Sequence, residues 1–217
     1  MATALGYKLR QQDGNNVKVG GGYISRIRVV EGEVALGVPV IAAADVTNPL
    51  LGPDGATAVF GPQKGATPEM VSELEAALAS FADVVERDLP AGPWRDVEGA
   101  GAAGGLGFGL LAFCSARIRG GAEVVAELVG YASAVVGADI VITGEGKLDS
   151  QSAAGKAPTY VRDAARKQGA RAYVVAGQVS DGAGDDFDAW RELGPRGMED
   201  AAGLVTERAA ELARAAG

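Results

Sequence analysis

The C-terminal part of the sequence alternates short apolar runs with a helical pattern, and this order restricts the fold more than any other feature. The runs "DIVIT" (139–143) and "RAYVVA" (171–176) have the length and the β-branched content of buried strands. A helical pattern over residues 160–168 lies between them. Two strands joined through a helix form a βαβ unit with a parallel sheet. Ligands bind beyond the carboxyl ends of the strands in such sheets, so we expect a site in the loops that follow strands.

A second region with this character lies nearer the N-terminus. Residues 38–44 form an apolar run that predicts a buried strand. The loop that follows, "DVTNPLLGPDGATAVFGPQKG" (45–65), contains four glycines and three prolines. Connections in compact domains usually have about 4–6 residues, and much longer ones are usually functional. This loop is therefore a candidate for ligand binding.

Two helices are predicted on either side of a glycine-rich segment. Thr67 and Pro68 have the residue types of an N-cap and a first helical residue, which indicates a helix that ends before Pro90. Its apolar residues recur at spacings of three and four and form one stripe: Met70, Leu74, Leu78, Phe81 and Val85. A second helix is predicted over residues 122–136, with these side chains facing inward: Val124, Val125, Leu128, Val129 and Val135.

The composition excludes several kinds of chemistry. The 217 residues include no histidine, which rules out Ser-His-Asp and Cys-His catalysis and histidine-ligated zinc. Acids, lysines, hydroxyls, backbone amides or an oxygen-ligated cation must therefore act, and these groups suit phosphoryl transfer. The net charge of −8 argues against nucleic acid and anionic membranes as partners. We expect a cytoplasmic protein, because we find neither a signal peptide nor a membrane span and the one cysteine fits a reducing compartment.

The loop 45–65 has polar side chains at both of its ends. Asp45 follows the predicted strand directly, and a carboxylate there can hold Mg²⁺ or take a hydroxyl proton. Asn48 can bond a substrate oxygen, while Gln63 and Lys64 stand on a backbone stiffened by Pro62. The alternative is that Asp45 and Asn48 only form the turn and that Lys64 is a solvated surface residue.

The glycine-rich segment "GAGAAGGLGFG" (99–109) leads into an apolar run. Gly99, Gly101 and Gly104 match the spacing of dinucleotide-binding turns, but no clear strand precedes them and no suitable acid follows about 20 residues later. We therefore reject a Rossmann cofactor site. A glycine-rich turn before a helix can still bind an anion, and the alternative is tight packing of the backbone against a neighbouring element.

A third polar segment, "TGEGKLDSQSAAGKAP" (143–158), follows the first strand of the βαβ unit. It places Glu145 and Asp149 four residues apart, with Lys147 and Lys156 nearby and the amide of Gln151 between them. Acids for a divalent cation and a lysine for phosphate oxygens are the groups that phosphoryl transfer needs. The alternative is a charged loop in contact with solvent.

The three segments taken together resemble the two-domain bacterial glycerate kinases, which phosphorylate D-glycerate from ATP, commonly at the 2-hydroxyl. The resemblance rests on residues 45–67, 99–113 and 139–158 and extends less sharply through nearly the whole chain. The family begins with a strand and a loop of the type "APDSFKGS" and continues through "ATNDGGAG". Neither motif occurs in this sequence, so the chain resembles the family without its N-terminal third.

The resemblance implies a fold and an activity. It implies two α/β domains with a cleft between them, which we place at residues 1–135 (mixed α/β) and 136–217 (a Rossmann-like parallel sheet). The expected activity is ATP- and Mg²⁺-dependent phosphorylation of D-glycerate, with 2-phosphoglycerate as the favoured product. The alternative is a catalytically inactive family member that keeps ligand or subunit contacts, and the chain could form a homo-oligomer.

The resemblance also implies roles for individual residues. The catalytic candidates are Asp45, Asp149 and Lys156, and the candidate metal ligands are Asp45, Glu145 and Asp149. The candidates for contact with substrate or phosphate are Asn48, Gln63, Lys64, Gly101, Gly104, Gly105, Gly107, Glu145 and Gln151.

Overall fold

The computed structural model describes residues 1–18, 20–33, 36–149 and 157–215. They form two compact units, Met1–Arg119 and Gly120–Gly217. The predicted domain ranges, 1–135 and 136–217, stay a prediction. Among the described residues, the helices are too short or too polar to cross a membrane.

The first unit is a mixed α/β structure. Its strands are β1 (Lys8–Arg10), β2 (Val29–Glu31), β3 (Ile41–Ala44) and β4 (Arg117–Gly120), the last of which reaches the unit boundary. Its helices are α1 (Ala56–Phe60), α2 (Pro68–Asp88) and α3 (Ala102–Cys114), with 3₁₀ turns at Ala2–Leu5, Gly21–Arg26 and Pro62–Lys64. β1 and β2 are antiparallel with Leu9 opposite Val30, and β3 pairs with β4.

Helix α2 confirms the predicted start at Thr67. The Thr67 side chain accepts a hydrogen bond from the Met70 N–H at 3.3 Å, and Pro68 is the first helical residue. The C-terminal half of the helix enters the core, where Val85 is fully buried and Phe81 packs edge-on against Phe108. The N-terminal half does not enter it, since Met70 is 49% exposed.

The strand predicted at residues 38–44 is present but shorter and more exposed than expected. β3 begins at Ile41, and both Val38 and Ile41 are exposed. The prediction of a buried strand is wrong because the side chains of β3 alternate between exposed and half-buried, so one face of the strand is open and the other only partly covered.

The second unit contains the predicted parallel sheet. Its strands are β5 (Ile140–Leu148), β6 (Arg171–Val179) and β7 (Ala189–Glu192), which are parallel and lie in that order. Its helices are α4 (Gly121–Leu128), α5 (Tyr131–Ala134), α6 (Ala157–Lys167) and α7 (Ala201–Ala215). β5, α6 and β6 form the βαβ unit, with Thr143 opposite Val174 in the centre of the sheet.

Strand β5 is longer than the sequence indicates. We expect a loop from residue 144, whereas the pairing with β6 continues to Leu148 opposite Val179. Glycine and lysine favour strands poorly, so the sequence pattern ends early and only the partner strand reveals the extension. Glycine is required at position 177 for this pairing, because a Cβ there would collide with the carbonyl oxygen of Gly146.

The helix predicted over residues 122–136 is two short helices instead. Gly130 adopts a left-handed conformation, with φ of 68°, and separates α4 from α5. Val135 is buried as expected, but Val125, Leu128 and Val129 are exposed, Leu128 by 81%. The prediction that these three side chains face inward is therefore wrong.

Asp188 connects the strand β6 to the segment before β7. Its carboxylate accepts hydrogen bonds from the Ala172 N–H at 2.8 Å and from Arg166 at 3.4 Å. The Ala172 N–H, followed by the charge of Arg166, holds the pKa of Asp188 below its ordinary value. A carboxyl group with a lowered pKa stabilises the fold above its unfolded-state pKa, and this stabilisation disappears as the pH falls through the folded-state pKa.

We predict that Asp188→Ala lowers the free energy of unfolding by about 1–2 kcal/mol at pH 7, because the N–H of the buried Ala172 loses its acceptor. The difference from wild type should shrink as the pH falls below about 4. Urea unfolding at both pH values measures it. Asp186→Ala is the control, since the Asp186 side chain is 71% exposed and makes a surface ion pair. A loss in Asp188→Ala no larger than in this control would contradict the prediction.

Candidate functional site

The loop 45–65 contacts the backbone of the glycine-rich segment 99–109, whose first part we call the glycine turn. The Gly101 N–H donates to the carbonyl of Asn48 at 2.9 Å, and a Cβ at Gly101 would collide with the carbonyl oxygen of Pro49. The next residue, Leu50, is fully buried in the core. Only a residue without a side chain fits at position 101, so Gly101 determines how closely the two segments approach.

The turn itself interrupts the start of α3. Ala103, Gly104 and Gly105 have positive φ angles of 52°, 74° and 95°, so the regular helix begins after them. A Cβ at Gly107 would collide with the carbonyl oxygen of Gly99. Tight packing therefore explains Gly101 and Gly107. Gly104 differs, because a Cβ there would meet no atom within 4 Å.

Acidic side chains of α2 also hold the loop, one directly and one through residues 94 and 95. Glu86 accepts hydrogen bonds from the backbone N–H groups of Trp94 and Arg95 at 2.7 and 2.9 Å, and it also pairs with the Arg95 guanidinium. The carbonyl of Arg95 then accepts the Leu50 N–H at 2.9 Å. Glu75 accepts the Gly52 N–H at 2.6 Å. These contacts give the long loop a defined backbone path.

A pocket of about 340 Å³ lies beside this loop, and we call it the α2 pocket. Its lining comes from the 3₁₀ turn at Gly21–Arg26, α1, the segment 61–66, α2 and the glycine turn: Gly21, Ile24, Ala56, Thr57, Phe60, Gly61, Lys64, Gly65, Ala66, Met70, Leu74, Ala77, Leu78 and Gly104. Thr57 is buried, and Lys64 is the one charged residue in this lining. The Lys64 ammonium group makes no ion pair with any residue that the structure describes.

The α2 pocket brings together some of the predicted site residues. Lys64 and Gly104 line it, and Gln63 is exposed next to Lys64. The half-buried Asn48 uses its side-chain N–H to donate to the carbonyl of Asp54 at 2.7 Å, so it also shapes the loop. Asp45 is exposed at the carboxyl end of β3.

The candidates in the second unit lie at the end of β5. Glu145 is within the strand, and its carboxylate accepts the Gly146 N–H at 3.3 Å. Asp149 follows the strand directly and pairs with Lys147 at 3.8 Å. Gln151 and Lys156 lie outside the described residues, so their roles stay predictions.

A second concavity, of about 570 Å³, lies along β7 and is less suited to a phosphorylated ligand. Its lining has the acids Asp185, Asp188 and Glu192 against a single cation, Arg191. This excess of carboxylates would repel phosphate. We therefore regard the α2 pocket as the better candidate for binding a small molecule.

The described residues contain no group of three or more His, Cys, Asp or Glu side chains that could hold a metal ion. Magnesium in kinases is usually bound by one or two carboxylates together with phosphate oxygens of the substrate. The predicted ligands Asp45, Glu145 and Asp149 could therefore bind Mg²⁺ singly or in pairs, together with phosphate oxygens of the substrate. They stay predictions.

Comparison with known proteins identifies the family. The sequence profile of the Glycerate kinase family matches residues 1–215. The chain belongs to the glycerate kinase family. It is 44% identical over 184 residues to a glycerate kinase of Bacillus subtilis (strain 168), a match that covers 83% of this chain and 48% of the relative. It is 40% identical over 188 residues to the glycerate 2-kinase of Escherichia coli (strain K12), covering 85% of this chain and 49% of the relative.

A solved structure agrees with the sequence comparison. A crystal structure assigned as glycerate kinase 2 from Salmonella typhimurium LT2 superposes with a TM-score of 0.75 at 39% identity. The match covers 88% of this chain and 51% of that one. The chain thus spans about half the length of the glycerate kinases it matches.

The sequence did not reveal the α2 pocket. Met70, Leu74 and Leu78 belong to the same apolar stripe as Val85, yet all three line the pocket. Val85 lies in the core, and Leu78 also packs against it. The available signal was the position of this stripe directly after the loop that carries Lys64. Periodicity shows which residues share a face but not whether that face is covered.

We predict that Gly101→Ala destabilises the protein more than Gly104→Ala. The added methyl group at position 101 overlaps a backbone carbonyl, and such overpacking costs about 1–3 kcal/mol or more. At position 104 there is space, and the positive φ costs roughly 1–2 kcal/mol. Urea unfolding of the two variants measures the order, and a larger loss in Gly104→Ala would refute this account of the turn.

Proposed function

We propose that the chain transfers the γ-phosphoryl group of ATP to D-glycerate, at the 2-hydroxyl, as a member of the glycerate kinase family. The observation that carries the proposal is the junction between two family segments. The loop 45–65 and the glycine turn are joined at Gly101 and Asn48, and both contribute to the α2 pocket beside Lys64. The name of the Escherichia coli relative, glycerate 2-kinase, supports the choice of hydroxyl.

In this reaction the glycerate hydroxyl oxygen attacks the γ-phosphorus, and the bond from that phosphorus to the bridging oxygen of ADP breaks. The proton of the hydroxyl passes to a carboxylate, for which Asp45 and Asp149 are the candidates. The protein contributes mainly by positioning the reactants and by offsetting charge. Lys64 and Lys156 are the candidates for contact with phosphate oxygens, and Gln63 for a hydrogen bond to them.

Mg²⁺, when bound with the nucleotide, would neutralise part of the phosphate charge, with Asp45, Glu145 or Asp149 as candidate ligands. Because ATP is the phosphoryl donor available inside the cell, we expect the protein to work in the cytoplasm. A homo-oligomer stays a prediction.

The direct test is ADP release from ATP in the presence of D-glycerate, followed by phosphorus NMR of the product. We expect glycerate-dependent turnover and the 2-phosphate monoester. Binding of glycerate and ATP without turnover would instead support the alternative, an inactive family member. Absence of both turnover and binding would refute the proposal.

We predict that replacing the catalytic base lowers kcat/KM about 100-fold or more, since removing a proton acceptor that acts in the transition state has an effect of this size. Asp45→Asn and Asp149→Asn therefore distinguish the two candidates. Asp54→Asn, at an exposed position in the same loop as Asp45, is the matched control and should change kcat/KM less than about 2-fold. Wild-type turnover in both test variants would exclude both carboxylates as the base.

A further inference from the structure

The walls of the α2 pocket suit only one of the two substrates of the proposed reaction. They are mainly apolar, with side chains that include Phe60, Met70, Leu74 and Leu78. Glycerate carries a carboxylate and two hydroxyl groups on three carbons, and burying these groups against apolar walls would leave them without hydrogen-bond partners. A purine base has two apolar faces and keeps its polar atoms at the ring edge, so such walls can cover it.

Lys64 supplies the one positive charge in the lining of the α2 pocket. Lys64 is the last residue of the 3₁₀ turn Pro62–Lys64 and is exposed to solvent. Thr57, in the first turn of α1, also lines the pocket but is buried. A lysine ammonium acts as a point charge for phosphate oxygens. Gly65 and Gly104 leave the backbone near Lys64 open, since a Cβ at either position would meet no atom within 4 Å.

We propose that the α2 pocket binds the nucleobase of the phosphoryl donor, with the base against Met70 and Leu74 and the phosphates directed to Lys64. The inference rests on the proposed kinase function and specifies which substrate this pocket receives. The volume of about 340 Å³ lies at the lower end of the range for small-molecule sites, which is consistent with a base whose phosphates lie outside the apolar part. Glycerate then binds elsewhere, and the polar loop residues Asp45 and Asn48 stay its candidates.

The experiment is equilibrium dialysis of ADP, adenosine and inorganic pyrophosphate against the full chain without glycerate. Met70→Glu places a carboxylate in the pocket at a position that is already half exposed, 49%. Val59→Glu is the matched control, because Val59 is 42% exposed on α1 and does not line the pocket. Lys64→Gln removes the positive charge at an exposed position, so it gives a test that does not depend on the folding of Met70→Glu.

We expect Met70→Glu to raise the Kd for ADP and for adenosine about tenfold or more, and Val59→Glu to change both less than about twofold. Lys64→Gln should weaken ADP and pyrophosphate but leave adenosine unchanged. Absence of ADP binding to the wild type, or equal ADP affinity in Met70→Glu and Val59→Glu, would overturn the inference. So would a Lys64→Gln variant that binds ADP and pyrophosphate as the wild type does.

The inference and the proposed function fail in different ways. If glycerate is phosphorylated but the KM for ATP is the same in Met70→Glu and wild type, the pocket assignment is wrong and the kinase function stands. If ADP binds as expected but glycerate is never phosphorylated, the pocket assignment stands and the proposed function is wrong.

Discussion

The contact between the glycine turn and the Asn48–Pro49 backbone is the constraint on which the rest of the first unit depends. The Gly101 N–H donates to the Asn48 carbonyl, and a Cβ at position 101 would collide with the Pro49 carbonyl oxygen, so only glycine allows the two segments to lie this close. The contact directs Leu50 into the core, where it is fully buried. The rest of the long loop then follows a path that places α1 and Lys64 beside α2.

The charged side chains of this unit have two different roles. Acids of α2 are used for structure: Glu75 accepts the Gly52 N–H of the loop, Glu86 accepts the Trp94 N–H, and Asp83 pairs with Arg95. Lys64 is different, because it lines a pocket and has no ion-pair partner among the described residues. Because the chain as a whole carries a net charge of −8, Lys64 gives the pocket a local positive charge that can attract an anionic ligand.

The sequence predicts the elements whose signals are local. The cap at Thr67 and Pro68 gives the start of α2, and the order of apolar runs gives the parallel pairing of β5 and β6. Features that depend on a partner were missed. The extension of β5 to Leu148 requires β6. The break between α4 and α5 has a local cause, the left-handed Gly130, which the apolar periodicity of the segment does not show.

For the candidate site, too, the sequence shows which residue types are present but not how they pack. The residue types at Asp45, Lys64 and the glycine turn could be selected from the sequence, since such residues suit phosphate chemistry. Two things needed the structure: the tight packing at Gly101 and Gly107, and the open position at Gly104. The sequence also could not show that one end of the α2 stripe lines a pocket.

The α2 pocket, to which the loop and the glycine turn both contribute, is the proposed site for the nucleotide. Methyl NMR with separate additions of ADP and D-glycerate tests this proposal most directly. The account predicts that ADP shifts the methyl resonances of Met70, Leu74 and Leu78 and leaves those of Val59 unchanged, while D-glycerate shifts none of the four. Shifts of the three pocket methyl resonances by D-glycerate, or their absence with saturating ADP, would contradict the claim.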